Sequence, residues 1–445
     1  GFKGVTISDY DSIIETVVHR VSVDDQDAVR QALLATVDIE MASGAYIKHI
    51  PVLVRNGLID ETVLDQAVLR VLKLKQALGL FKNPFKGAHI EKEKSFPLSL
   101  GQKAIAKRLA DESIVLLKNQ NNLLPLQNQK VALLGHLSDS GQLLGPWSWH
   151  GNRTITPTVK SVLKPFVHHA KEDTKMWDAS TLEAVHQSDV LVVMTGEEEK
   201  ESGEARSKTN PIFSSRTLAF IRELKSFRKP IVLIITAGRP LVLTDVVDEV
   251  DAILYPYFLG SEAANSIVDT LYGRNNPSAK LTMSFPRHLG QIPLSYNHLN
   301  TGRPFLGQSF TYTSHYIDEK NEPLFTFGDG LSYTTFQFNQ FKDVSTAERG
   351  MVEVMVHNTG SRAGFVIIPV YLEKPFAPVA LANRQLVGMS KVMLQPGASQ
   401  LVTVEIDAQF LTYIDRDYQR RPLKGKLTLL TGQPGNWLSL TKEIN

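Results

Sequence analysis

The sequence contains no cysteine. Disulfide bonds, thiolate catalysis and cysteine-ligated zinc are therefore excluded. Long apolar runs are lacking as well, since none approaches the ~20 residues that cross a membrane. The sequence thus predicts neither a thiol enzyme nor a protein that inserts into a membrane.

An excess of either charge is also lacking. Lys and Arg number 48 against 46 Asp and Glu, which leaves a net charge of +2. So balanced a surface offers no footprint for nucleic acid or anionic lipid. Hydrophobic residues make up 42% and charged residues 21% of the chain, as in ordinary globular proteins. This composition favours an uncharged ligand.

The first 85 residues show strands alternating with helices. The chain has 445 residues, too many for one hydrophobic core, so two to four domains are expected. Strand-like runs lie at 5–8 and 37–41, and helices begin near Asp24 or Asp25 and at Asp60. This alternation predicts the end portion of a (β/α) barrel over residues 1–85. It supplies about two strands, and a barrel of this kind needs about eight.

Two further domains follow a linker at 86–100, so the fold class is α/β multidomain. Continuous apolar strands alternate with helices over 101–300, which predicts an α/β sandwich domain with a mostly parallel sheet covered on both faces. The strands are expected at 131–134, 190–194, 231–235 and 252–255, and the helices at 102–118, 216–226 and 261–272. After a connector at 301–330, short strands and turns over 331–445 predict an antiparallel β-sandwich.

Asp9 is the first candidate for chemistry, because it directly follows the strand-like run at 5–8. A carboxylate at the carboxyl end of a barrel strand lies where such barrels place catalysis. Taken alone, an Asp in this position is more often a helix cap or a turn residue than a catalytic one.

The surrounding sequence extends the interpretation of Asp9. The stretch G-F-K-G-V-T-I-S-D-Y resembles the nucleophile motif of glycoside hydrolase family 3, in which an Asp after Ser attacks the anomeric carbon. Tyr10 stands where Trp is commoner. Similar blocks follow in order along the whole chain: V-D-I-E-M-A at 37–42, L-L-K-N at 116–119, P-Y-F-L-G-S-E-A at 256–263 and F-G-D-G-L-S-Y-T-T-F at 327–336. The likeness is greatest to bacterial periplasmic β-glucosidases.

The resemblance implies roles for individual residues. It makes Asp9 the nucleophile and 331–445 a fibronectin-III-like domain. It places Tyr10 and Met41 beside the substrate, together with Trp147 from a segment whose tryptophans flank the sugar. Indole faces stack on pyranose rings; two partly buried core aromatics are the alternative interpretation of this segment.

A retaining glycosidase needs a second carboxyl group, protonated at rest, about 5–5.5 Å from the nucleophile. The acidic loop at 197–204 follows a predicted strand and lies where family 3 enzymes carry the acid/base Glu. Glu204, in the context Glu-Ala-Arg-Ser, matches that motif best, and Glu197 and Glu201 are the alternatives. Neighbouring carboxylates raise a Glu pKa, which would keep the acid protonated near neutrality.

The resemblance implies a retaining exo-β-glycosidase that removes terminal β-linked glucose from an oligosaccharide or glucoside and needs no cofactor or metal. A β-xylosidase or arabinofuranosidase of the same family is one alternative. The other is a non-catalytic carbohydrate-binding protein, because the family binds the glycone through the first six barrel strands.

Those six strands are not in this chain, so its barrel portion is expected to be covered. The cover would be an N-terminal segment of the same precursor or a partner chain, and an oligomer is left open. The chain begins with Gly1 rather than Met, so any targeting segment is expected to have been removed. The resemblance implies a periplasmic or extracellular location.

Overall fold

The computed structural model describes residues 2–95, 99–149, 151–163, 166–170, 179–305, 307, 311–346, 349–373 and 375–444. The chain forms two compact units, Gly1–Pro97 and Leu98–Asn445. Residues 96–98 of the predicted linker, and 306 and 308–310 of the predicted connector, lie outside the described residues. Among the described residues, no helix is both long enough and apolar enough to cross a membrane.

The first unit pairs two strands in parallel and surrounds them with helices. The strands are β1 (Ile7–Tyr10) and β2 (Ile39–Met41); the helices are α1 (Ser12–Val18), α2 (Asp25–Leu34), α3 (Ala45–Arg55), α4 (Glu61–Ala77) and α5 (Ile90–Ser95). Ile7 lies opposite Ile39, and Tyr10 lies opposite Met41. The two strands therefore end at the same edge of this small sheet.

Two helices of this unit, α2 and α4, begin where the sequence predicts. The Asp24 side chain accepts a hydrogen bond from the amide of Asp27 at 2.8 Å, and Asp60 accepts one from Thr62 at 2.9 Å. Each bond satisfies an amide that would otherwise lack a partner in the first helical turn. The predicted buried strand at 5–8 is wrong in two respects. The strand begins at Ile7, and Ile7 is 52% exposed, because the described residues leave much of its side chain on the face of the sheet uncovered.

Asp38 and Arg70 form an ion pair that joins the strands to α4. Arg70 Nη2 lies 2.6 Å from Asp38 Oδ1, and Arg70 Nε lies 3.0 Å from each carboxylate oxygen. The amide of Thr6, just before β1, also donates to Asp38. Burial raises the pKa of Asp38, but the bonds from Arg70 and Thr6 outweigh it and leave that pKa below its ordinary value of 3.8. Asp38 is therefore ionised in the folded protein.

Asp38→Asn is expected to destabilise the first unit by about 3 kcal/mol. This is the lower end of the cost of breaking a buried ion pair, since Arg70 is partly exposed. The measurement is hydrogen exchange of β1 and β2. Because the folded-state pKa is lowered, the difference between wild type and variant should be complete above pH ~4 and shrink as the pH falls further. Asp65→Asn, at an exposed position on α4, is the control; an equal loss of protection there would contradict a specific role for the pair.

The α/β domain of the second unit contains a six-stranded sheet. Its elements are α6 (Leu100–Asp111), β3 (Val115–Asn119), β4 (Val131–Leu134), α7 (Val159–Val162), β5 (Phe166–Ala170), α8 (Ala179–Gln187), β6 (Val190–Gly196), α9 (Ser215–Ser226), β7 (Ile231–Thr236), β8 (Ala252–Tyr255) and α10 (Ala263–Leu271). The strand order is β3-β8-β7-β6-β4-β5, and every pairing is parallel except β3 with β8. Separate apolar clusters cover the two faces, as continuous apolar strands predict.

One predicted helix of this domain is wrong. The expected helix at 102–118 ends at Asp111, and Val115–Asn119 forms the edge strand β3. Residues 114–117 are all apolar and buried, and such a run has no polar side to expose as a surface helix would. Pairing with β8 therefore outweighs the continuation of α6.

The last domain is an antiparallel β-sandwich, as predicted. Its strands are β9 (Phe336–Asp343), β10 (Gly350–Asn358), β11 (Gly364–Glu373), β12 (Arg384–Leu394), β13 (Ser399–Ile406), β14 (Thr412–Ile414), β15 (Arg420–Pro422), β16 (Gly425–Gln433) and β17 (Asn436–Ile444). The main sheets have the orders β13-β10-β9 and β12-β11-β16-β17. Alternate residues of β10, namely Val352, Val354 and Val356, enter the shared core.

Candidate active site

Asp9, Tyr10 and Met41 come together at the carboxyl edge of β1 and β2. Tyr10 is the register partner of Met41, and both side chains are exposed. The Ser8 hydroxyl accepts a hydrogen bond from the amide of Met41 at 2.9 Å and donates to the carbonyl of Asp9 at 2.8 Å. Two neighbouring strand ends are thereby tied together around Asp9.

The Asp9 carboxylate is exposed and has one described hydrogen bond, from the Tyr10 amide to Oδ1 at 2.7 Å. The other oxygen, Oδ2, accepts no hydrogen bond from a described residue. The chain turns sharply just beyond, at Asp11 (φ 54°), whose amide donates to the carbonyl of Met41 at 3.0 Å. The turn ends β1 and leaves Asp9 with a free oxygen at the strand end.

In the second unit, the acidic loop that follows β6 begins with the buried Glu197. Its side chain is 2% exposed, and Oε1 lies 3.3 Å from Lys208 Nζ and 3.2 Å from Arg239 Nε. Oε1 makes ion-pair contacts without a hydrogen bond of good geometry. A buried carboxylate held between two cations supports the loop and is a poor candidate to reach a substrate.

Glu201 is also held by a cation. It accepts hydrogen bonds from Lys208 Nζ at 2.8 Å and from the amide of Glu198 at 2.9 Å. Burial raises the pKa of Glu201, but these bonds more than compensate, so that the pKa lies below its ordinary value. The prediction that crowded carboxylates raise a Glu pKa is therefore wrong for Glu201. A general acid must carry a proton near neutrality, which disfavours this residue.

Glu204 differs from both alternatives, because its side chain is exposed and has no hydrogen bond or ion pair with a described residue. The preceding Gly203 has φ +99°, a left-handed conformation that favours glycine. A methyl group added there would lie 3.0 Å from Cβ of Pro146 and 3.7 Å from Nε1 of Trp147. Trp147 therefore lies directly beside the turn that carries Glu204.

Trp147 is 69% exposed. The alternative interpretation of this segment as buried core aromatics is therefore wrong, although the role of Trp147 at a sugar stays a prediction.

Lys208 and Arg239 are two charged residues near the candidate acid whose importance sequence reasoning missed. The signal available for Arg239 was its position just beyond the strand β7, which ends at Thr236, in Thr-Ala-Gly-Arg-Pro. Within the described residues, no group of three His, Asp or Glu is arranged to hold a metal ion.

Three known domains match this chain in order. Residues 1–74 match the glycosyl hydrolase family 3 N terminal domain, residues 114–333 match the glycosyl hydrolase family 3 C-terminal domain, and residues 367–433 match the fibronectin type III-like domain. The chain belongs to glycoside hydrolase family 3.

Family 3 relatives resemble this chain along nearly its full length. The periplasmic β-glucosidase of Salmonella typhimurium is 36% identical, over 97% of this chain and 62% of that protein. A β-xylosidase of Formosa agariphila is 28% identical, over 97% of this chain and 63% of its own. A crystal structure of a Listeria innocua β-glucosidase in complex with glucose has a TM-score of 0.93 and 32% identity, covering 99% of this chain and 63% of that one. The chain thus spans somewhat under two thirds of these family 3 proteins.

Proposed function

We propose that this family 3 chain carries the catalytic carboxylates of a retaining exo-β-glycosidase that releases terminal β-linked glucose. The observation that carries the proposal is Asp9 itself: an exposed carboxylate with a free oxygen at the carboxyl edge of two parallel strands. The identity to a periplasmic β-glucosidase favours glucose over other sugars, and it favours a periplasmic or extracellular location.

The proposed reaction has two displacements at the anomeric carbon. The Asp9 carboxylate attacks that carbon and forms a glycosyl ester, while the bond to the leaving oxygen breaks and Glu204 gives this oxygen its proton. Glu204, now a carboxylate, takes a proton from water, and the water oxygen attacks the same carbon. The ester bond to Asp9 breaks, and both carboxyl groups return to their starting state. These two displacements use only side chains and water.

Three exposed side chains are proposed to contact the sugar. Tyr10 and Met41 flank Asp9 on the two strand ends, and Trp147 beside Gly203 offers an indole face. A pyranose ring presents apolar C–H groups that pack well against such faces. The Formosa β-xylosidase favours a second candidate, a pentose in place of glucose, because its sequence matches 97% of this chain.

We further propose that additional barrel strands cover the first unit in the active protein. Its exposed apolar residues include Ile7, Val18, Val21, Val23 and Ile47, each 52% to 86% exposed. So much exposed apolar surface is unfavourable in water, and the open edges of a two-stranded sheet invite further pairing. Strands from the same precursor or from a partner chain would supply the rest of the sugar pocket.

The test measures hydrolysis of aryl β-glucosides, β-xylosides and α-arabinofuranosides by residues 1–445 alone and by the longest natural form of the protein. We expect the longest form to prefer the glucoside and the chain alone to be at least ~100-fold slower, since binding and orientation of the sugar are incomplete. Preference for a xyloside would favour the second candidate. No hydrolysis by the longest form would contradict catalysis and favour a binding role, and equal activity of both forms would contradict the need for further strands.

A further inference from the structure

The turn that carries Glu204 is closed by one arginine side chain. Arg239 Nη2 lies 2.5 Å from the carbonyl oxygen of Glu201 and 2.9 Å from the carbonyl oxygen of Arg206. These two carbonyls stand three residues before and two residues after Glu204. The guanidinium group therefore bridges the two ends of the 201–206 turn, and Glu204 lies between them.

Arg239 is itself held from two directions. Its Nε donates to Glu197 Oε2 at 3.2 Å, and its carbonyl oxygen accepts a hydrogen bond from the hydroxyl of the buried Tyr255 at 2.6 Å. The neighbouring Gly238 leaves room for the turn, because a methyl group there would lie only 1.8 Å from Ser202 Oγ. Arg239 is thus anchored to the interior of the α/β domain through both its side chain and its backbone.

Lys208 forms ion pairs with two glutamates at and near the start of the same turn. Its ammonium group lies 2.8 Å from Glu201 Oε1 and 3.3 Å from Glu197 Oε1. Glu197, Glu201, Lys208 and Arg239 therefore form one network of ion pairs, and Glu204 is left outside it. The backbone of the turn needs such support, because Gly203 and Ala205 both have positive φ, which costs energy for a non-glycine residue.

We propose that Arg239 is a positioning residue, which acts on the reaction by holding the 201–206 turn so that Glu204 is presented in one orientation. This inference rests on the proposed role of Glu204 as the acid/base. An arginine suits the task because its planar group carries several donors in a fixed arrangement. A lysine has one compact ammonium group, which could not reach Glu197 and both carbonyls together.

The first test compares Arg239→Lys with wild type in the longest natural form, using aryl β-glucosides of decreasing leaving-group ability. A misplaced acid slows the reaction little when the leaving group can depart without a proton. It slows the reaction most when the leaving group must be protonated before it departs. We expect kcat to fall roughly 10- to 100-fold for the poorest leaving groups and to change little for the most activated ones. If hydrolysis of the glycosyl ester is slowed in Arg239→Lys, added azide should restore turnover of activated substrates by this variant. Tyr255→Phe should show the same pattern more weakly, and serves as the second variant if Arg239→Lys does not fold.

Arg274→Lys is the matched control, because Arg274 also pairs with a carboxylate of this domain, that of Asp269, but far from the turn in sequence. It should leave the leaving-group dependence unchanged. A uniform loss on all substrates in Arg239→Lys, without azide rescue, would overturn the proposal and make Arg239 a general stability residue. Wild-type kinetics would overturn it as well.

A second readout does not depend on glycosidase activity. The carbonyl that Arg239 holds at Arg206 belongs to the peptide bond that trypsin would cleave, and Arg206 is exposed. Loss of the hydrogen bond from Arg239 in Arg239→Lys should speed cleavage after Arg206 about tenfold, because the rate of cleavage follows the population of molecules in which the turn is open. An unchanged rate of cleavage would refute the proposal that Arg239 holds the turn. If wild type hydrolyses no glycoside, the proposed function and the role of Glu204 fail together, and the trypsin rate alone decides whether Arg239 holds the turn.

Discussion

Replacing Asp9 by alanine is expected to lower kcat for aryl β-glucosides by several orders of magnitude in the active form of the protein. Without the carboxylate no glycosyl ester can form, and the reaction loses its covalent route. The fall should be similar for good and poor leaving groups, because the first displacement fails in both. The measurement is steady-state hydrolysis across an aryl glucoside series.

The matched control for Asp9 is Asp11→Asn. Asp11 lies two residues away in a left-handed conformation that asparagine tolerates, so this variant removes a charge from the same turn without removing the proposed nucleophile. It should retain most of the activity. A 2-fluoro-glycoside with a good leaving group should trap the ester on Asp9 in wild type, to be located by peptide mass spectrometry. A label on another residue would show that Asp9 is not the nucleophile.

Replacing Glu204 by alanine is expected to affect substrates very unequally. General acid catalysis contributes roughly 10²- to 10⁴-fold, so poor leaving groups should lose about that much while formation of the glycosyl ester from activated aryl glucosides continues. Turnover of the ester then lacks its general base. Azide needs no base, so it should rescue turnover and yield the β-glycosyl azide.

The controls for Glu204 are the two other glutamates considered for the acid. Glu201→Gln removes a carboxylate paired with Lys208, and Glu197→Gln removes one paired with both Lys208 and Arg239. Neither should give a β-glycosyl azide product, although both can weaken the loop that carries Glu204. If one of them gives the azide product and Glu204→Ala does not, the acid/base has been assigned to the wrong residue of this loop.

The two catalytic assignments depend on the sequence to different degrees. Asp9 is marked by a local motif, and the strand and the turn around it involve neighbours in the chain, apart from the contact with Met41 on β2. For the acid, the sequence offers three candidates among the five glutamates at 197–204. Their cations separate them: Lys208 pairs with Glu201, Arg239 and Lys208 both pair with Glu197, and Glu204 has no ion pair with a described residue. These partners come from beyond the acidic stretch.

The order of domains, the apolar central strands and the helix starts at Asp24 and Asp60 could all be predicted from the sequence. These features follow from interactions between residues a few positions apart, or from continuous runs of one residue type. The contacts of the folded chain were needed to show that residues 115–119 form an edge strand and that Glu197 is a buried support. In both cases the deciding partner, β8 for the strand and Arg239 for the carboxylate, is distant in sequence. Contacts between residues so far apart leave no periodic pattern of residue types in the sequence. They form only when the sheet brings the two partners together.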